Sequence, residues 1–248
     1  FDQVKSNSNE GHIYSWLFHA PQNAGNKSAI SYQNQRMIIE KPNARLSLDV
    51  VSPEIHSAKI RERNVQNESF ISLASKPNQS VANFLAVILP EAKPVSGTYG
   101  PQPAVTRVEA PGWIGARVEH HGVTDMGFFQ TGEVPAGTVG GFITNAKRFT
   151  ASLNKGGDLV KVYFEGSKFA GSGLTIQSDL FLTCAMEKHS GGVTLEVQSD
   201  KPGVLTISSL MAPARISLNG VSVKLKYNTD SKVTTLLVPK GKNEFFIE

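Results

Sequence analysis

The segment Arg215–Leu225 (RISLNGVSVKL) carries the strongest hairpin signal in the chain. Asn219 and Gly220 stand between two stretches in which apolar and polar residues alternate. Both residue types tolerate the positive φ angles of a type I′ turn, which joins two antiparallel strands through two residues. The segment therefore predicts a tight antiparallel hairpin, and it indicates a fold built from sheets.

The same period-two alternation continues through most of the sequence, whereas the 3.6-residue period of a helix is nearly absent. In Ile13–His19, Tyr14, Trp16 and Phe18 share one face, and the apolar residues on both faces predict a central strand with Trp16 buried. Further strands are predicted at 44–51, 69–74, 82–89, 114–120, 124–131, 148–153, 159–165, 174–186, 193–198, 204–208, 215–218, 233–238 and 244–247. We therefore predict an all-β protein of layered antiparallel sheets, either one large sandwich or a large sheet followed by a smaller C-terminal sandwich.

Proline and glycine interrupt the alternation in one place. The interruption contains Pro90, Pro94, Gly97, Gly100, Pro101, Pro103 and Pro111. Because proline lacks a backbone N–H, such a stretch is expected to be unable to propagate a sheet. We predict three parts: residues 1–90 as the first part of a large antiparallel sandwich, 91–112 as a connection, and 113–248 as the remaining sheets and C-terminal hairpins. Besides the hairpin at Asn219-Gly220, a final hairpin is predicted to join 233–238 to 244–247 through Pro239-Lys240-Gly241-Lys242.

Composition excludes several classes of protein. The 248 residues are 40% hydrophobic, which is enough for a packed core. No apolar run reaches the roughly eighteen residues of a membrane helix, so no membrane partner is expected. The single cysteine, Cys184, excludes an internal disulfide framework and a Cys-based zinc cluster. A net charge of +4 permits an anionic ligand, but without aromatic interleaving or a known motif it predicts no nucleic-acid partner.

Catalytic motifs are not found in the sequence. The chain has no Gly-x-Ser-x-Gly elbow, phosphate loop, dinucleotide fingerprint or His-Glu-x-x-His pair. The pairs His12/His19 and His120/His121 point to opposite faces of a regular strand, and their spacing supplies no convergent metal-ligand set. We therefore predict no catalytic residue, metal site or cofactor within this chain.

Three segments carry a family resemblance. Phe1–Val4 (FDQV) is followed after a short polar loop by His12–His19 (HIYSWLFH), and Ala44–Pro53 reads ARLSLDVVSP. The first two resemble a D-x-(V/L) step followed by a Y-x-W-x-x-H strand in the heparinase II/III-like polysaccharide lyases. The third is similar to the ARL-x-(L/V)-x-V-x-SP strand of the same families. The resemblance covers about the first ninety residues.

The resemblance implies an α/α toroid that precedes a large β region, with β-elimination of uronate-containing polysaccharides such as alginate or glycosaminoglycans between the two. This chemistry needs a base, an acid and a group that neutralises enolate-like charge. In the family most of these groups lie on the toroid, and a further His, with a metal site where one exists, lies on strands before the segment that matches Phe1. Tyr14 and His19 do not match catalytic positions, so we expect the isolated chain to lack lyase activity.

Two functions follow as hypotheses. In the first, the chain is the C-terminal β region of a periplasmic or secreted lyase and packs on a missing N-terminal toroid. In the second, it is a non-catalytic β-sandwich that binds carbohydrate or serves in assembly. A helical region containing Tyr and His upstream in the gene would favour the first hypothesis.

Acidic sugars need cationic donors for their carboxylates and flat aromatic surfaces for their pyranose faces. The best local combination spans the Pro-rich connection and the strand after it, and it consists of Tyr99, Arg107, Trp113, Arg117, His120 and His121. These residues are our candidate polysaccharide contacts. The alternative is that Trp113 packs as a plug and Arg117 lies on a solvated face, which would make the cluster structural.

Overall fold

The computed structural model describes residues 1–7, 10–21, 27–63, 68–208, 212–224 and 226–248. These residues form twenty-three β-strands that pair in antiparallel fashion, so the all-β antiparallel prediction is confirmed. Within these residues, no helix is long and apolar enough to cross a membrane. The chain divides into two compact units, Phe1–Arg107 and Val108–Glu248, called unit 1 and unit 2 below.

Unit 1 is built from two sheets. Its strands are β1 (Asp2–Lys5), β2 (Ser15–Pro21), β3 (Ala29–Gln33), β4 (Arg36–Lys41), β5 (Ala44–Ser52), β6 (Ser57–Arg63), β7 (Glu68–Ala74) and β8 (Val81–Ala92). One sheet has the order β1-β8-β5-β4-β3, and the other has the order β2-β7-β6. Alternating apolar residues of both sheets meet in one buried cluster, which includes Met37, Leu48, Val50, Ile71 and Leu73.

Strand β2 corrects one prediction. The sequence predicted a central strand at 13–19 with Trp16 buried, but β2 lies at the edge of its sheet and Trp16 is only half-buried. The Trp16 ring packs 4.9 Å from that of Phe84, and its Nε1 donates to Asp2 Oδ2 at 3.1 Å. Leu17, on the opposite face, is 53% exposed. Apolar residues on both faces therefore did not mean that both faces are covered.

The Pro-rich connection is shorter than predicted. Strand β8 continues through Pro90, and β9 (Ala104–Ala110) begins before the predicted end of the connection, so the prediction of a connection throughout 91–112 is wrong at both ends. Among the described residues, β1 pairs with Val81–Phe84 of β8, whereas Pro90 pairs only with Leu46 of β5. Proline is tolerated there because its missing N–H lies on the unpaired side of the strand.

Unit 2 contains the larger sheet. Strand β9 crosses the boundary between the units, and fifteen strands, β9 to β23, belong to this sheet. The others are β10 (Trp113–His120), β11 (Val123–Gln130), β12 (Gly137–Val139), β13 (Phe142–Thr144), β14 (Arg148–Leu153), β15 (Leu159–Gly171), β16 (Leu174–His189), β17 (Gly192–Ser199), β18 (Gly203–Ser208), β19 (Ile216–Leu218), β20 (Val221–Ser222), β21 (Tyr227–Asn228), β22 (Val233–Val238) and β23 (Gly241–Ile247). The larger of the two layered bodies is therefore C-terminal. One of the two architectures predicted from the sequence had instead a smaller C-terminal sandwich.

The two longest strands divide unit 2 into two layers. Before the register shift between Gly166 and Lys168, β15 pairs with β14, and after it β15 pairs with β13. Strand β16 pairs with β18 through its first half and with β17 through its second half. The buried aromatic residues between the layers include Phe128, Phe142, Phe149, Phe164 and Phe169. The fold of unit 2 is a β-sandwich whose long strands pass from one layer to the other.

One of the two predicted C-terminal hairpins is present. Asn219 (φ 49°) and Gly220 (φ 80°) adopt the positive φ angles of a type I′ turn, and β19 pairs with β20 across them. Leu225, at the end of the quoted segment, lies outside the described residues. The predicted hairpin of 233–238 with 244–247 is wrong, because β22 pairs with β18 and β23 pairs with β17. The turn between β22 and β23 changes layer instead of closing a hairpin.

Cys184 provides a test of the unit 2 core. The thiol is fully buried, and this burial raises its pKa far above its ordinary value. Because the thiolate is the reactive species, we expect native protein to remain unmodified by a thiol-reactive disulfide such as Ellman's reagent. Denaturation in guanidinium should give one reactive thiol per chain. Stoichiometric reaction in native buffer would contradict this placement.

Candidate functional site

The six predicted sugar contacts are divided between the units. Tyr99 and Arg107 belong to unit 1, and Trp113, Arg117, His120 and His121 belong to unit 2. In unit 2, Trp113 is 3% exposed and its ring packs edge-on against Phe149 at 5.8 Å. A ring inside the core offers no face to a pyranose, so Trp113 is a packed plug, as in the structural alternative.

The remaining three residues of unit 2 take part in local pairs. Arg117 Nη2 lies 2.7 Å from Glu119 Oε1 on an exposed face. His120 Nε2 lies 2.6 Å from Asp125 Oδ2, and the other oxygen of Asp125 accepts from the Ser152 hydroxyl. Since the carboxylate stands between the serine and the histidine, the imidazole does not contact the hydroxyl as a general base would. His121 packs its ring edge-on against that of His120, with centroids 6.0 Å apart, so all three residues form local pairs at the surface.

Tyr99 lies in a segment that follows the surface of the five-stranded sheet. We call residues 98–103 the strap. Arg45 of β5 places its Cζ 4.0 Å from the centre of the Tyr99 ring, and its Nε and Nη2 donate to Glu91 Oε2 at 3.0 and 2.6 Å. Gln102 Nε2 donates to the same oxygen at 2.8 Å. The Tyr99 ring is therefore occupied by a guanidinium of its own chain.

Two arginines of the sheet, Arg45 and Arg36, contact the strap and form ion pairs with nearby carboxylates. The hydrogen bond from Arg45 keeps the pKa of the Glu91 carboxyl below its usual value, and burial raises the pKa of Tyr99. Arg36 Nε donates to Asp49 Oδ1 at 2.7 Å, and Arg36 Nη2 donates to the Pro103 carbonyl at 3.4 Å. The Pro-rich segment is thus fixed to the sheet at both ends of the strap.

Arg107 lies in a different environment. It lines a polar groove of about 310 Å³ in unit 1, together with Lys76 and Asn83. The walls of this groove come from the turn after β5, the turn after β7 and the first residues of β8. Arg107 Nη1 donates to the Val51 carbonyl at 3.2 Å, which ties the guanidinium to the wall. We call this feature the Arg107 groove.

The Arg107 groove has a positive balance of charge. Two cations, Arg107 and Lys76, line it together with one anion, Glu54. Lys76 Nζ lies 2.6 Å from Glu54 Oε2, and both side chains are more than half exposed, at 57% and 66%. The hydrogen bond from Lys76 lowers the pKa of the Glu54 carboxyl, so that group is ionised at neutral pH. Arginine and lysine donors in one groove can bind the oxygens of a carboxylate.

Hydrogen bonds of the buried Ser75 fix the turn that carries Lys76. Ser75 is 1% exposed, its Oγ accepts from the Tyr14 backbone N–H at 3.0 Å, and it donates to the Lys76 carbonyl at 3.0 Å. Gln79 continues the turn through backbone hydrogen bonds with His12 in both directions, each 3.0 Å long. The turn between β7 and β8 is therefore a defined wall, and Lys76 extends from it.

The sequence predicted Arg107 as a contact but missed Lys76 and Asn83. Lys76 stands two residues after one predicted strand, and Asn83 lies within the next. Finding these residues from the sequence would have required knowing that the end of the first strand lies beside the start of the second. Within the described residues, no group of three or more His, Cys, Asp or Glu side chains is arranged to hold a metal ion. The donors of the Arg107 groove suit an anion.

Comparisons with known proteins give no further assignment. The chain matches no protein-family model and no curated protein sequence.

Proposed function

We propose that this chain is the C-terminal β-sheet portion of a polysaccharide lyase and that its Arg107 groove binds uronate-containing polysaccharide. The first support is the family resemblance, whose three segments all lie in unit 1. Asp2 in the first segment accepts the hydrogen bond of Trp16 in the second, and Leu48 in the third belongs to the cluster on which Trp16 packs. The segments that carry the resemblance thus form one packed structure.

The observation that carries the proposal is the presence of Arg107 and Lys76 in one polar groove. A uronate presents one carboxylate per sugar residue, and a planar guanidinium matches its two oxygens. Serine, asparagine and glutamine side chains on the same walls supply donors and acceptors for sugar hydroxyls. The groove is therefore suited to hold an acidic sugar residue.

The proposal assigns binding, not catalysis, to this chain. Tyr14, the tyrosine of the Y-x-W-x-x-H segment, donates its hydroxyl to the Ser80 carbonyl at 3.2 Å and so has a structural partner. We propose that the acid and base, and a metal where the family uses one, come from the N-terminal toroid region and the strands that follow it. The same proposal places the protein in the periplasm or outside the cell.

The second candidate is a carbohydrate-binding or assembly sandwich without a lyase partner. It is favoured by the Arg107 groove itself, which can bind a carboxylate without an adjacent acid or base. The upstream reading frame distinguishes the two candidates. A helical region of a few hundred residues with Tyr and His supports the lyase, and an unrelated domain supports the binding module.

Replacing Arg107 by Ala should weaken the binding of an alginate-derived disaccharide by roughly 10- to 150-fold, because a charge-assisted hydrogen bond contributes roughly 1.5–3 kcal/mol. Lys76→Ala should have a similar effect. Isothermal titration calorimetry at two salt concentrations measures the change, and the difference between variant and wild type should shrink as salt rises. The same titration with a heparin-derived disaccharide tests a second acidic sugar.

The matched control is Lys201→Ala, which removes an exposed cation from a turn of unit 2. Its affinity should equal that of the wild type. Unchanged affinity in both Arg107→Ala and Lys76→Ala, with folding intact, would contradict the proposed groove.

A further inference from the structure

The three-stranded sheet of unit 1 has a second face that points away from the apolar cluster. Its side chains come from alternate positions of the three strands, and the strand register arranges them in two rows. One row is His19, Phe70 and Arg61, and the next is Leu17, Ser72 and Lys59. We call these six residues the outer face.

The outer face combines apolar and basic groups. The rings of His19 and Phe70 stack with centroids 5.6 Å apart and planes at 20°. Leu17 is 53% exposed, and Lys59 and Arg61 are also exposed. One acidic side chain, Glu68, contacts this face, with its Oε2 3.4 Å from His19 Nδ1. Exposed apolar surface beside exposed positive charge is typical of a binding face.

Strand β7 connects the outer face to the Arg107 groove. Phe70 and Ser72 lie on the outer face, β7 ends at Ala74, and Ser75 and Lys76 then line the groove. The six residue steps from Phe70 to Lys76 span at most roughly 20 Å of extended chain. Cationic groups therefore occur at both ends of one strand of unit 1.

We infer that the outer face is a second contact surface for the same acidic polysaccharide, which continues from the Arg107 groove along β7; this inference rests on the proposed function. Charge complementarity selects the occupant. Arg61 and Lys59 bind carboxylates, and Leu17 with the ring edges of His19 and Phe70 contacts the apolar C–H surface of the sugars.

A single-stranded nucleic acid shares the anionic backbone but fits this face less well. Its binding depends on bases that stack on free aromatic faces, and here the two rings stack on each other.

Charged side chains also protect exposed strands from pairing with other chains, and β6 is an edge strand. That role alone predicts no dependence of ligand affinity on Lys59 and Arg61.

Two contact surfaces on one unit make affinity depend on ligand length. An octasaccharide that reaches both surfaces should bind at least about tenfold more tightly than a disaccharide that fills only the groove. The double variant Lys59→Ala/Arg61→Ala removes two exposed cations and should preserve the fold. It should weaken octasaccharide binding about tenfold and leave disaccharide binding unchanged, whereas Arg107→Ala weakens both.

The experiment is calorimetric titration of the full chain with alginate-derived disaccharide, alginate-derived octasaccharide and oligothymidylate, for wild type, Arg107→Ala, the double variant and Lys201→Ala. Loss of affinity for the octasaccharide alone in the double variant supports the outer face. Equal octasaccharide affinity in wild type and double variant overturns the outer face and leaves the groove intact. Wild type that binds neither sugar overturns both proposals. Tighter binding of oligothymidylate than of octasaccharide, lost in the double variant, also overturns the inference, since the face would then recognise nucleic acid.

Discussion

Phe149→Ala should lower the free energy of unfolding by about 3–5 kcal/mol, the usual cost of emptying a large buried aromatic site. Phe149 is 1% exposed and lies at the centre of the aromatic cluster of unit 2. Its ring packs against four others, with centroid separations of 4.8 Å to Phe128, 5.6 Å to Phe169, 5.7 Å to Phe142 and 5.8 Å to Trp113. Neighbours contributed by both layers cannot all move to fill the space, so most of the cavity should persist.

Urea denaturation followed by far-ultraviolet circular dichroism measures this loss. Phe181→Ala is the matched control, because Phe181 is 54% exposed and its removal leaves no cavity. We expect the control to change stability by less than about 1 kcal/mol. A loss at Phe149 no larger than that of the control would show that the aromatic cluster is not the centre of the core.

Gly115→Ala should destabilise the protein by about 2–3 kcal/mol through overpacking. A Cβ at Gly115 would stand 2.2 Å from Phe128 Cδ1 and 2.5 Å from the Gly127 carbonyl oxygen. Phe128 is completely buried, so its ring has no free space into which it can turn. Since the second contact is backbone, β10 and β11 would have to separate locally.

Gly127→Ala, in the neighbouring strand, is the control for adding one methyl group to this sheet. Its Cβ would meet only Thr150 Cγ2, at an ordinary 3.7 Å. Because alanine reduces the entropy of the unfolded chain, this variant should be neutral or more stable by up to about 1 kcal/mol. Similar denaturation midpoints for Gly115→Ala and Gly127→Ala would contradict the close packing of Phe128 on β10.

Much of the fold could be predicted from alternation and turn chemistry. The Asn219-Gly220 hairpin was predicted because its signal is local and both residues take up the required φ angles. Strand β6 was missed because Lys59, Arg61 and Glu62 leave few apolar positions, and an edge strand needs few. The pairing of β22 with β18 was missed since a turn shows that the chain reverses but not which layer receives the next strand.

The candidate site was less predictable. Sequence placed the aromatic Tyr99 and Trp113 near loops, but only tertiary packing decides that Trp113 points into the core and that Arg45 covers Tyr99. Arg107 was found because a cation after a Pro-rich stretch is visible in the sequence. Lys76 was not, because the contact of its turn with the other groove walls depends on the assembly of two sheets.

On the proposed function, the Arg107 groove binds an acidic sugar. Its most direct test is a nuclear magnetic resonance titration of isotopically labelled protein with alginate-derived disaccharide. We predict saturable shifts of the Arg107 Nε–H, the Lys76 backbone amide and the Asn83 side-chain amide, with the Lys201 amide unchanged. Shifts confined to unit 2, or none in these groove groups at saturating sugar, would contradict the claim.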